Sequence, residues 1–358
     1  MAEQGVDVLL VSVGADLPWL TGYEAMPLER LTMLVVPRDG DATLVVPRLE
    51  APRVVERPGV FALAPFEETV DPIELVARLA GPASVAAVSD RTWARFVVDL
   101  QAAMPGSSWR RGSTVTGPLR AVKDQAEVAA LRRAAQAADR VAAQLQGGDI
   151  ALVGRTEADV SADIGRRLVA EGHQRVNFAI VASGPNAASP HHEADERVIA
   201  AGDVVLCDFG GTMLAEGGAG YCSDITRCVV AGGAPAPADV AEAYAVLHEA
   251  QAAAVAAAVV GTSCEAVDAA ARDIIEAAGY GERFFHRTGH GIGVEEHEDP
   301  YVVAGNATPL VPGHAFSVEP GIYTAGRWGL RLEDIVVAST AGPDPLNRAD
   351  HALLTVDA

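Results

Sequence analysis

Two pairs of acidic residues occupy corresponding places in the second half of the chain. Asp208 and Asp224 lie 16 residues apart, and Glu319 and Glu333 lie 14 residues apart. Each pair falls in a segment with the pattern of a strand, a turn and a second strand, with one acid per strand. This echo predicts a duplicated domain in which two hairpins face each other and bring four carboxylates together.

The residues around these acids indicate that the carboxylates are buried. Alternate side chains of a strand share a face, so Asp208 points with Val204 and Leu206. Glu319 points with Ser317 in the same way. Burying an ionised carboxylate costs several kcal/mol unless a counter-charge accompanies it. Metal ions are counter-charges that accommodate several acids at once, so the four acids predict a site for two divalent metal ions.

A histidine completes the predicted ligand set. His290 stands among Gly289, Gly291 and Gly293, which let the backbone approach a metal ion or a substrate closely. His297 follows seven residues later, near enough to reach the same pocket. Four carboxylates and one imidazole form an oxygen-rich set that suits Mn²⁺ first and also admits Co²⁺, Fe²⁺ or Zn²⁺.

The charge balance excludes two classes of partner. The chain has 358 residues, with 27 Lys and Arg against 48 Asp and Glu, which gives a formal net charge of −21. This charge repels nucleic acid and anionic membrane surfaces. The longest apolar stretch of a helix-like segment, Ala252–Val260, is far shorter than the roughly 20 residues that span a bilayer. We therefore expect no nucleic-acid partner and no membrane span.

The start of the chain and its cysteines favour a cytoplasmic protein. The first basic residue is Arg30, so the N-terminal segment lacks the positive region of a secretory signal. The four cysteines form no CxxC pair and suit a reducing compartment as free thiols. Lys123 is the only lysine and has no Gly-rich loop beside it, which excludes a phosphate-binding P-loop. The usual motifs of serine hydrolases and zincins, GxSxG and HExxH, are also absent.

Turn residues and apolar runs predict two domains, a small α/β domain and a larger α/β domain of the α+β type. In the first, Asp39-Gly40 is a hairpin signal between two strand-like runs. The segment Pro105–Pro118, which contains Gly and Ser, is the predicted boundary. The domains are thus predicted to span residues 1–118 and 119–358.

The predicted elements place each acidic hairpin after a pair of helices. Strands are predicted over Val6–Val13, Leu31–Pro37, Ala42–Pro47, Val85–Val88, Val176–Ala182, Val204–Phe209, Ile225–Val230, His314–Val318 and Leu330–Ala338. Helices are predicted over Asp71–Leu79, Trp93–Met104, Val128–Leu145, Thr156–Glu171, Asp239–Val260 and Ser263–Ala278.

Five motifs, in this order, resemble those of one enzyme family. They are Ser183-Gly-Pro-Asn186 running to Pro190-His191, Asp208-Phe-Gly, Ser223-Asp224-Ile-Thr-Arg227, the His290 glycine motif with Val318-Glu319-Pro-Gly-Ile-Tyr323, and Leu330-Arg331-Leu-Glu333-Asp334. With the helix-opening pattern Leu119–Glu127, they resemble the pita-bread metallopeptidases, which include Xaa-Pro aminopeptidases, prolidases and the metal-free creatinase. The resemblance implies a creatinase-type N-terminal domain followed by a pita-bread catalytic domain with an internal pseudo-twofold duplication.

The resemblance also implies a role for each metal ligand. Asp224 and Glu333 would bridge two divalent metal ions. Asp208 would be a further ligand of one ion, and His290 with Glu319 would bind the other.

Further residues are implied to contact the substrate or the centre. His191 and His297 match the family's substrate-contacting histidines. Because His192 is adjacent to His191, the first match falls on either of these two residues. Arg331 matches an arginine beside the metal site, and Glu319 is the candidate to shuttle a proton. The other histidines belong to no motif and are expected to be structural: His173, His248, His286, His314 and His351.

The implied activity is metal-dependent hydrolysis of the peptide bond before proline, which releases the N-terminal residue of Xaa-Pro peptides. A hydroxide held between two divalent ions would attack the scissile carbonyl, and the ions would stabilise the oxyanion. Proline has no N–H and a fixed φ, so peptidases that hold an extended backbone handle it badly. Two alternatives remain, a different hydrolase on this scaffold such as a creatinase-like amidinohydrolase, and a catalytically silent interaction protein.

Two more expectations rest on the resemblance. A homodimer is implied, with the N-terminal domain near the active site of the other subunit. The turn between Asp208 and Asp224 contains Ala215–Gly220 and is longer than is usual in the family. A hairpin tip tolerates insertion at little cost, so we expect the ligands to keep their places while the contacts of this loop differ.

Overall fold

A computed structural model describes residues 1–357 of the chain. The backbone forms two compact units. The first contains Met1–Arg120 together with Ala215–Gly220, and the second begins at Ala121 and contains the remainder.

The first unit contains one mixed six-stranded sheet and four helices. Its strands are β1 (Val8–Val11), β2 (Met33–Pro37), β3 (Ala42–Pro47), β4 (Phe61–Phe66), β5 (Val85–Val88) and β6 (Ser108–Arg111). Its helices are α1 (Asp16–Thr21), α2 (Pro72–Ala80), α3 (Ala94–Ala103) and α4 (Ser113–Ala121). The strand order is β4-β3-β2-β1-β5-β6, with β1, β5 and β6 parallel.

Both faces of this sheet are covered by apolar side chains. Along β1, Val8 and Leu10 pack into one core, and Leu9 and Val11 pack into the other. A strand with two buried faces has a continuous apolar sequence, which is why this segment lacks the alternation of a half-exposed strand.

The segment Pro105–Pro118, predicted as the domain boundary, contains regular structure. β6 pairs with β5 from Val85 opposite Ser108 to Val88 opposite Arg111. Only one sheet neighbour is bonded to this strand, and its side chains are largely exposed, so its sequence is polar. Backbone pairing at a sheet edge leaves no apolar pattern for sequence analysis to find.

The second unit has four long helices and two five-stranded sheets. The helices are α5 (Gln125–Gln146), α6 (Glu157–Ala170), α7 (Ala238–Ala257) and α8 (Cys264–Ala277). The strands are β7 (Arg175–Ser183), β8 (Val204–Leu214), β9 (Gly220–Cys222), β10 (Ile225–Ala231), β11 (Gly289–Gly291), β12 (Glu298–Val302), β13 (Ala315–Val318), β14 (Gly321–Thr324), β15 (Trp328–Arg331), β16 (Asp334–Ser339), β17 (Gly342–Pro345) and β18 (Leu354–Val356).

The order of these elements repeats. Helices α5 and α6 precede a sheet with the order β18-β10-β8-β7, in which β9 also pairs with β8. Helices α7 and α8 precede a sheet with the order β12-β11-β13-β16-β17. In both sheets the acidic hairpin is antiparallel, formed by β8 with β10 and by β13 with β16. The predicted internal duplication is therefore present in the fold.

One predicted strand, Leu330–Ala338, is wrong as a single element. The structure divides it into β15 and β16 at Leu332 and Glu333. β15 pairs with β14 in a separate hairpin, whereas β16 pairs with β13 in the five-stranded sheet. Because the chain changes sheets at this point, Glu333 lies outside both ladders. Every other predicted strand and helix corresponds to one element of the structure.

A fully buried arginine joins the two halves of the second unit. Arg227 on β10 donates to the backbone oxygen of Glu333 at 2.6 Å and to Asp334 Oδ1 at 2.8 Å. It also donates to the backbone oxygens of Ala349 and Asp350. These contacts satisfy a buried guanidinium and hold the segment that carries Glu333 against the first half.

Within residues 1–357, every helix is too short or too polar to span a lipid bilayer.

We predict that Arg227→Met lowers the free energy of unfolding by about 3–5 kcal/mol, because it leaves the Asp334 carboxylate buried without its guanidinium partner. The measurement is urea unfolding followed by circular dichroism. Arg140→Met is the control, since Arg140 pairs with Glu171 at the surface and its loss should cost no more than about 1 kcal/mol. Equal losses in the two variants would contradict the structural role of Arg227.

Candidate metal centre

The two antiparallel hairpins bring the four predicted carboxylates to one place. Asp208 lies within β8, opposite Thr226 of β10, and Asp224 directly precedes β10. In the other sheet, Glu319 directly follows β13 and Glu333 directly precedes β16. Three of the four acids therefore lie at strand ends, where their side chains are released from the sheet faces.

His290 enters the same place from β11, between two glycines. A Cβ atom on Gly289 would lie 1.8 Å from the Ser317 oxygen, and one on Gly291 would lie 2.3 Å from the Asp299 oxygen. These distances are far inside van der Waals contact, so neighbouring strands require both glycines. The expected reason for them, close approach of the backbone to a ligand, is not what the structure shows at these two positions.

The five predicted ligands converge. His290 Nε2 lies 3.1 Å from Glu319 Oε1 and 3.8 Å from Asp224 Oδ2. Ligand atoms of Asp224, His290 and Glu333 all lie within 4.8 Å of one another. Asp208 is tied to the cluster by Arg331, whose Nη2 donates to its Oδ2 at 2.5 Å.

The donor set fits divalent cations. Asp208 Oδ1 and Glu333 Oε1 are buried and accept no hydrogen bond from any residue of the described range 1–357. Unsatisfied buried carboxylate oxygens are costly, and cation coordination removes that cost. His290 Nδ1 lies 3.2 Å from the Gly291 carbonyl oxygen, which can only accept, so Nδ1 carries a proton, and Nε2, which faces the acids, is the ring nitrogen that would bind a metal ion.

The acids do not share one electrostatic environment. Burial and then the neighbouring carboxylates raise the pKa of Asp224 and of Glu333 well above their ordinary values. Burial also raises the pKa of Asp208, although Arg331 opposes the shift. For Glu319, burial is outweighed by the hydrogen bond and charge of His290, and the pKa falls to about 2. Asp208, Asp224 and Glu333 therefore lack enough nearby positive charge to favour their ionised forms, whereas Glu319 has enough.

Two hydroxyl groups hold Glu333 and Glu319 in place by hydrogen bonds. Thr226 Oγ1 donates to Glu333 Oε2 at 2.7 Å, and Ser317 Oγ donates to Glu319 Oε1 at 3.0 Å. Arg331 also reaches Tyr323, since its Nη1 donates to the phenolic oxygen at 2.9 Å. Thr226 and Tyr323 had no role predicted for them, because a hydroxyl behind an acid leaves no spacing pattern.

The centre opens into a cleft of about 530 Å³. His191, His297 and Arg331, predicted as catalytic or substrate-contacting, all line it. The rings of His290 and His297 lie 3.9 Å apart between centroids. The full lining comprises Phe178, Ile180, Ser189, Pro190, His191, Asp208, Asp224, Phe285, His286, Arg287, His290, His297, Glu319, Arg331 and Glu333.

The structure separates the two neighbouring histidines. His191 lines the cleft, whereas His192 turns away and its Nε2 lies 2.7 Å from Glu157 Oε2. His191 is thus the one of the two that faces the cleft.

Several residues of the cleft were missed by sequence analysis. His286, expected to be structural, lines the cleft, and its Nε2 lies 3.0 Å from the Tyr323 oxygen. Phe178, Ile180 and Phe285 give the cleft an apolar wall. Phe178 and Ile180 are two residues apart on β7, so strand periodicity offered a signal for them, but none existed for Phe285.

Two regions of the chain match known protein families. Residues 1–122 match the creatinase/prolidase N-terminal domain, and residues 129–340 match metallopeptidase family M24. The chain is 44% identical over 359 residues to a probable dipeptidase PepE of Mycobacterium tuberculosis, covering 99% of this chain and 93% of the relative. It is 34% identical over 366 residues to an Xaa-Pro dipeptidase of Lactobacillus helveticus, covering 99% and 96%.

Solved structures are similar over the same length. Dipeptidase PepE from Mycobacterium ulcerans superposes with a TM-score of 0.89 at 44% identity, covering 99% of this chain and 94% of that one. A recombinant prolidase from Thermococcus sibiricus superposes with a TM-score of 0.91 at 35% identity, covering 99% and 96%. The predicted fold class is confirmed, and the chain, with its creatinase/prolidase N-terminal domain and its acid-lined cleft, belongs to metallopeptidase family M24.

Proposed function

We propose that this metallopeptidase hydrolyses the bond before proline in Xaa-Pro peptides, as an Xaa-Pro dipeptidase or aminopeptidase. The observation that carries the proposal is the convergence of four acids and His290 on one cleft, where two buried carboxylate oxygens accept no hydrogen bond from residues 1–357. Relatives named Xaa-Pro dipeptidase and prolidase, similar over nearly the whole chain, support this substrate class.

The same residues define the proposed cofactor, two divalent metal ions. Asp224 and Glu333 are the proposed bridging ligands, Asp208 completes one ion's set, and His290 with Glu319 completes the other's. The oxygen-rich set supports Mn²⁺ as the resident ion, ahead of Co²⁺, Zn²⁺ or Fe²⁺. When bound, such ions supply Lewis acidity and lower the pKa of water.

Residues of the chain position the peptide and move the proton. Glu319 Oε1 accepts from Ser317, whereas Oε2 lies 4.0 Å from Arg331 Nε, so Oε2 is the oxygen proposed to take and return a proton. His191 and His297, on the cleft wall, are proposed to donate hydrogen bonds to the peptide carbonyl. Arg331 keeps Asp208 in place through its 2.5 Å hydrogen bond.

The shape of the cleft supports proline as the second residue. Phe178, Ile180 and Phe285 offer apolar surface beside the acids, which suits a pyrrolidine ring, because the proline nitrogen has no N–H that needs an acceptor. The acids suit a free substrate N-terminus, which limits cleavage to the first residue.

Three more proposals concern the whole protein. We infer a cytoplasmic enzyme, because four buried free thiols suit a reducing compartment. We propose a homodimer on the family resemblance. We also propose a domain boundary between residues 118 and 119. The main segment of the first compact unit ends at residue 120 and the N-terminal family match ends at residue 122, and both support this boundary.

We predict that the Mn²⁺-loaded enzyme cleaves Ala-Pro or Ala-Pro-Ala with a kcat/KM at least tenfold higher than that for Ala-Ala. The substrates differ by a whole ring that binds in an apolar pocket, which is enough for this discrimination. Steady-state kcat/KM for the three peptides is the measurement, with metal analysis of the same sample. The ratio of Ala-Pro to Ala-Pro-Ala decides between dipeptidase and aminopeptidase. Creatine turnover that survives exhaustive chelation would contradict the proposal.

We predict that Glu333→Ala abolishes both metal loading and Xaa-Pro hydrolysis, because it removes a proposed ligand of both ions. Metal content by plasma mass spectrometry and kcat/KM for Ala-Pro are measured together. Glu171→Ala, which removes a surface carboxylate paired with Arg140, should retain both. Full activity of Glu333→Ala would refute the assignment.

The raised pKa values predict how the metal-free protein responds to pH. Below about pH 4 the buried carboxyls of Asp224 and Glu333 are protonated in both the folded and the unfolded protein, so their burial costs no ionisation free energy. As pH rises through the raised folded-state pKa, the unfolded groups are ionised more readily than the folded ones, and stability is lost. The chelated protein should therefore have a lower Tm at pH 8 than at pH 5, and Mn²⁺ should raise the Tm more at pH 8. Glu333→Gln lacks one of these groups, so its chelated form should show a smaller difference, and a difference as large as that of the unaltered protein would count against this account.

A further inference from the structure

A second buried acid, outside the metal centre, holds the loop that leads to His191. Glu157 is the first residue of α6, and its side chain is fully buried. Its Oε1 accepts from the backbone nitrogen and the hydroxyl of Ser183, both at 2.6 Å. Its Oε2 accepts from Asn186 Nδ2 at 3.0 Å and lies 2.7 Å from His192 Nε2. The N-terminal end of α6 also favours a negative charge at this position.

These contacts tie both ends of one loop to one carboxylate. The loop runs from Ser183 at the end of β7 to His192, and the residues before His192 line the cleft: Ser189, Pro190 and His191. Arg331 Nη1 contacts the Pro190 oxygen from the metal centre at 3.3 Å. The loop therefore lies between the buried carboxylate of Glu157 and the catalytic cleft.

The direction of His191 depends on this attachment. Its ring makes no hydrogen bond to any residue between 1 and 357, so the backbone on either side sets where the ring points. On one side, His192 is held by Glu157, whose Oε2 also accepts from Asn186. A displacement of about 1 Å at a substrate-contacting group is enough to cost on the order of a hundredfold in rate.

We propose that Glu157 is a positioning residue for His191. By binding Ser183, Asn186 and His192 at once, it fixes the loop so that the imidazole of His191 and the oxygen of Pro190 face the cleft. Glu157 itself does not line the cleft. The inference rests on the proposed function, because it gives His191 a peptide to contact.

The test is Glu157→Gln, studied with His191→Ala and with the double variant. The amide keeps one oxygen for Ser183 but turns an NH₂ group toward the donors of Asn186 and His192, so the loop loses its attachment on one side. We expect kcat/KM for Ala-Pro to fall about tenfold to a hundredfold, with the same division between KM and kcat as in His191→Ala. The double variant should be no worse than His191→Ala alone, because both changes remove the same contact. Two metal ions per chain should remain.

Controls separate this role from a general loss of structure. Asp163→Asn, on the same helix, removes a carboxylate that pairs with Arg155 and Arg167, and it should leave kcat/KM unchanged. If Glu157→Gln does not fold, His192→Gln tests the same contact by changing its partner on the loop. Combined with His191→Ala, it should also be no worse than His191→Ala alone.

Three outcomes would overturn the inference. The first is additive losses in the double variant, which would mean that Glu157 acts on something other than His191. The second is loss of metal ions from Glu157→Gln, which would make Glu157 part of a metal site with His192 and Asp195, whose ligand atoms lie within 4.8 Å. The third is full activity of His191→Ala, which would refute the role proposed for His191 as well. Failure of the unaltered enzyme to cleave any Xaa-Pro peptide would instead refute the proposed function.

Discussion

The second unit is organised around a surplus of buried negative charge. Asp208, Asp224 and Glu333 are all buried, and Arg331 donates directly to one of them, Asp208. One guanidinium cannot neutralise three carboxylates in a medium of low dielectric constant. The structure elsewhere in this unit serves to hold these acids in spite of their repulsion, through antiparallel registers, hydroxyl donors and the buried Arg227. Divalent cations turn that repulsion into attraction, which explains why a fold would keep so costly an arrangement.

The two halves of the duplicated domain contribute differently to the cleft. The first half supplies the apolar wall on β7 and the loop that carries His191. The second half supplies His290, His297 and Glu319, and therefore most of the groups that can exchange protons. A duplicated scaffold thus gives two similar acidic strand pairs and a cleft with dissimilar walls, since the loops between strands diverge more freely than the strands themselves.

Sequence analysis predicted that four acids meet, and in the structure they line one cleft, because acids among apolar residues are conspicuous in a sequence. Their roles as metal ligands stay a prediction. Strand periodicity indicated a buried face for Asp208, and the correspondence between the two acidic segments indicated Glu333, although Glu333 lies between β15 and β16 and in neither strand. The break between β15 and β16 could not be predicted, because Leu330–Ala338 is apolar enough for one strand and only the choice of pairing partner divides it. The edge strand β6 was missed for the opposite reason, since backbone bonds maintain it without an apolar pattern. His286 and the partners of Glu157 depend on which way a loop turns, and no local pattern encodes that direction.

The placement of the acids on separate hairpins also bears on how the chain reaches its folded state. Asp208 and Glu333 are separated by 125 residues of sequence, so they meet only after a long loop has closed. Contacts of such high sequence separation slow folding and form after local helices and hairpins. We therefore expect the ion-binding geometry to be absent from early intermediates, so that a nascent chain acquires its cofactor at the last step of assembly rather than using it as a nucleus.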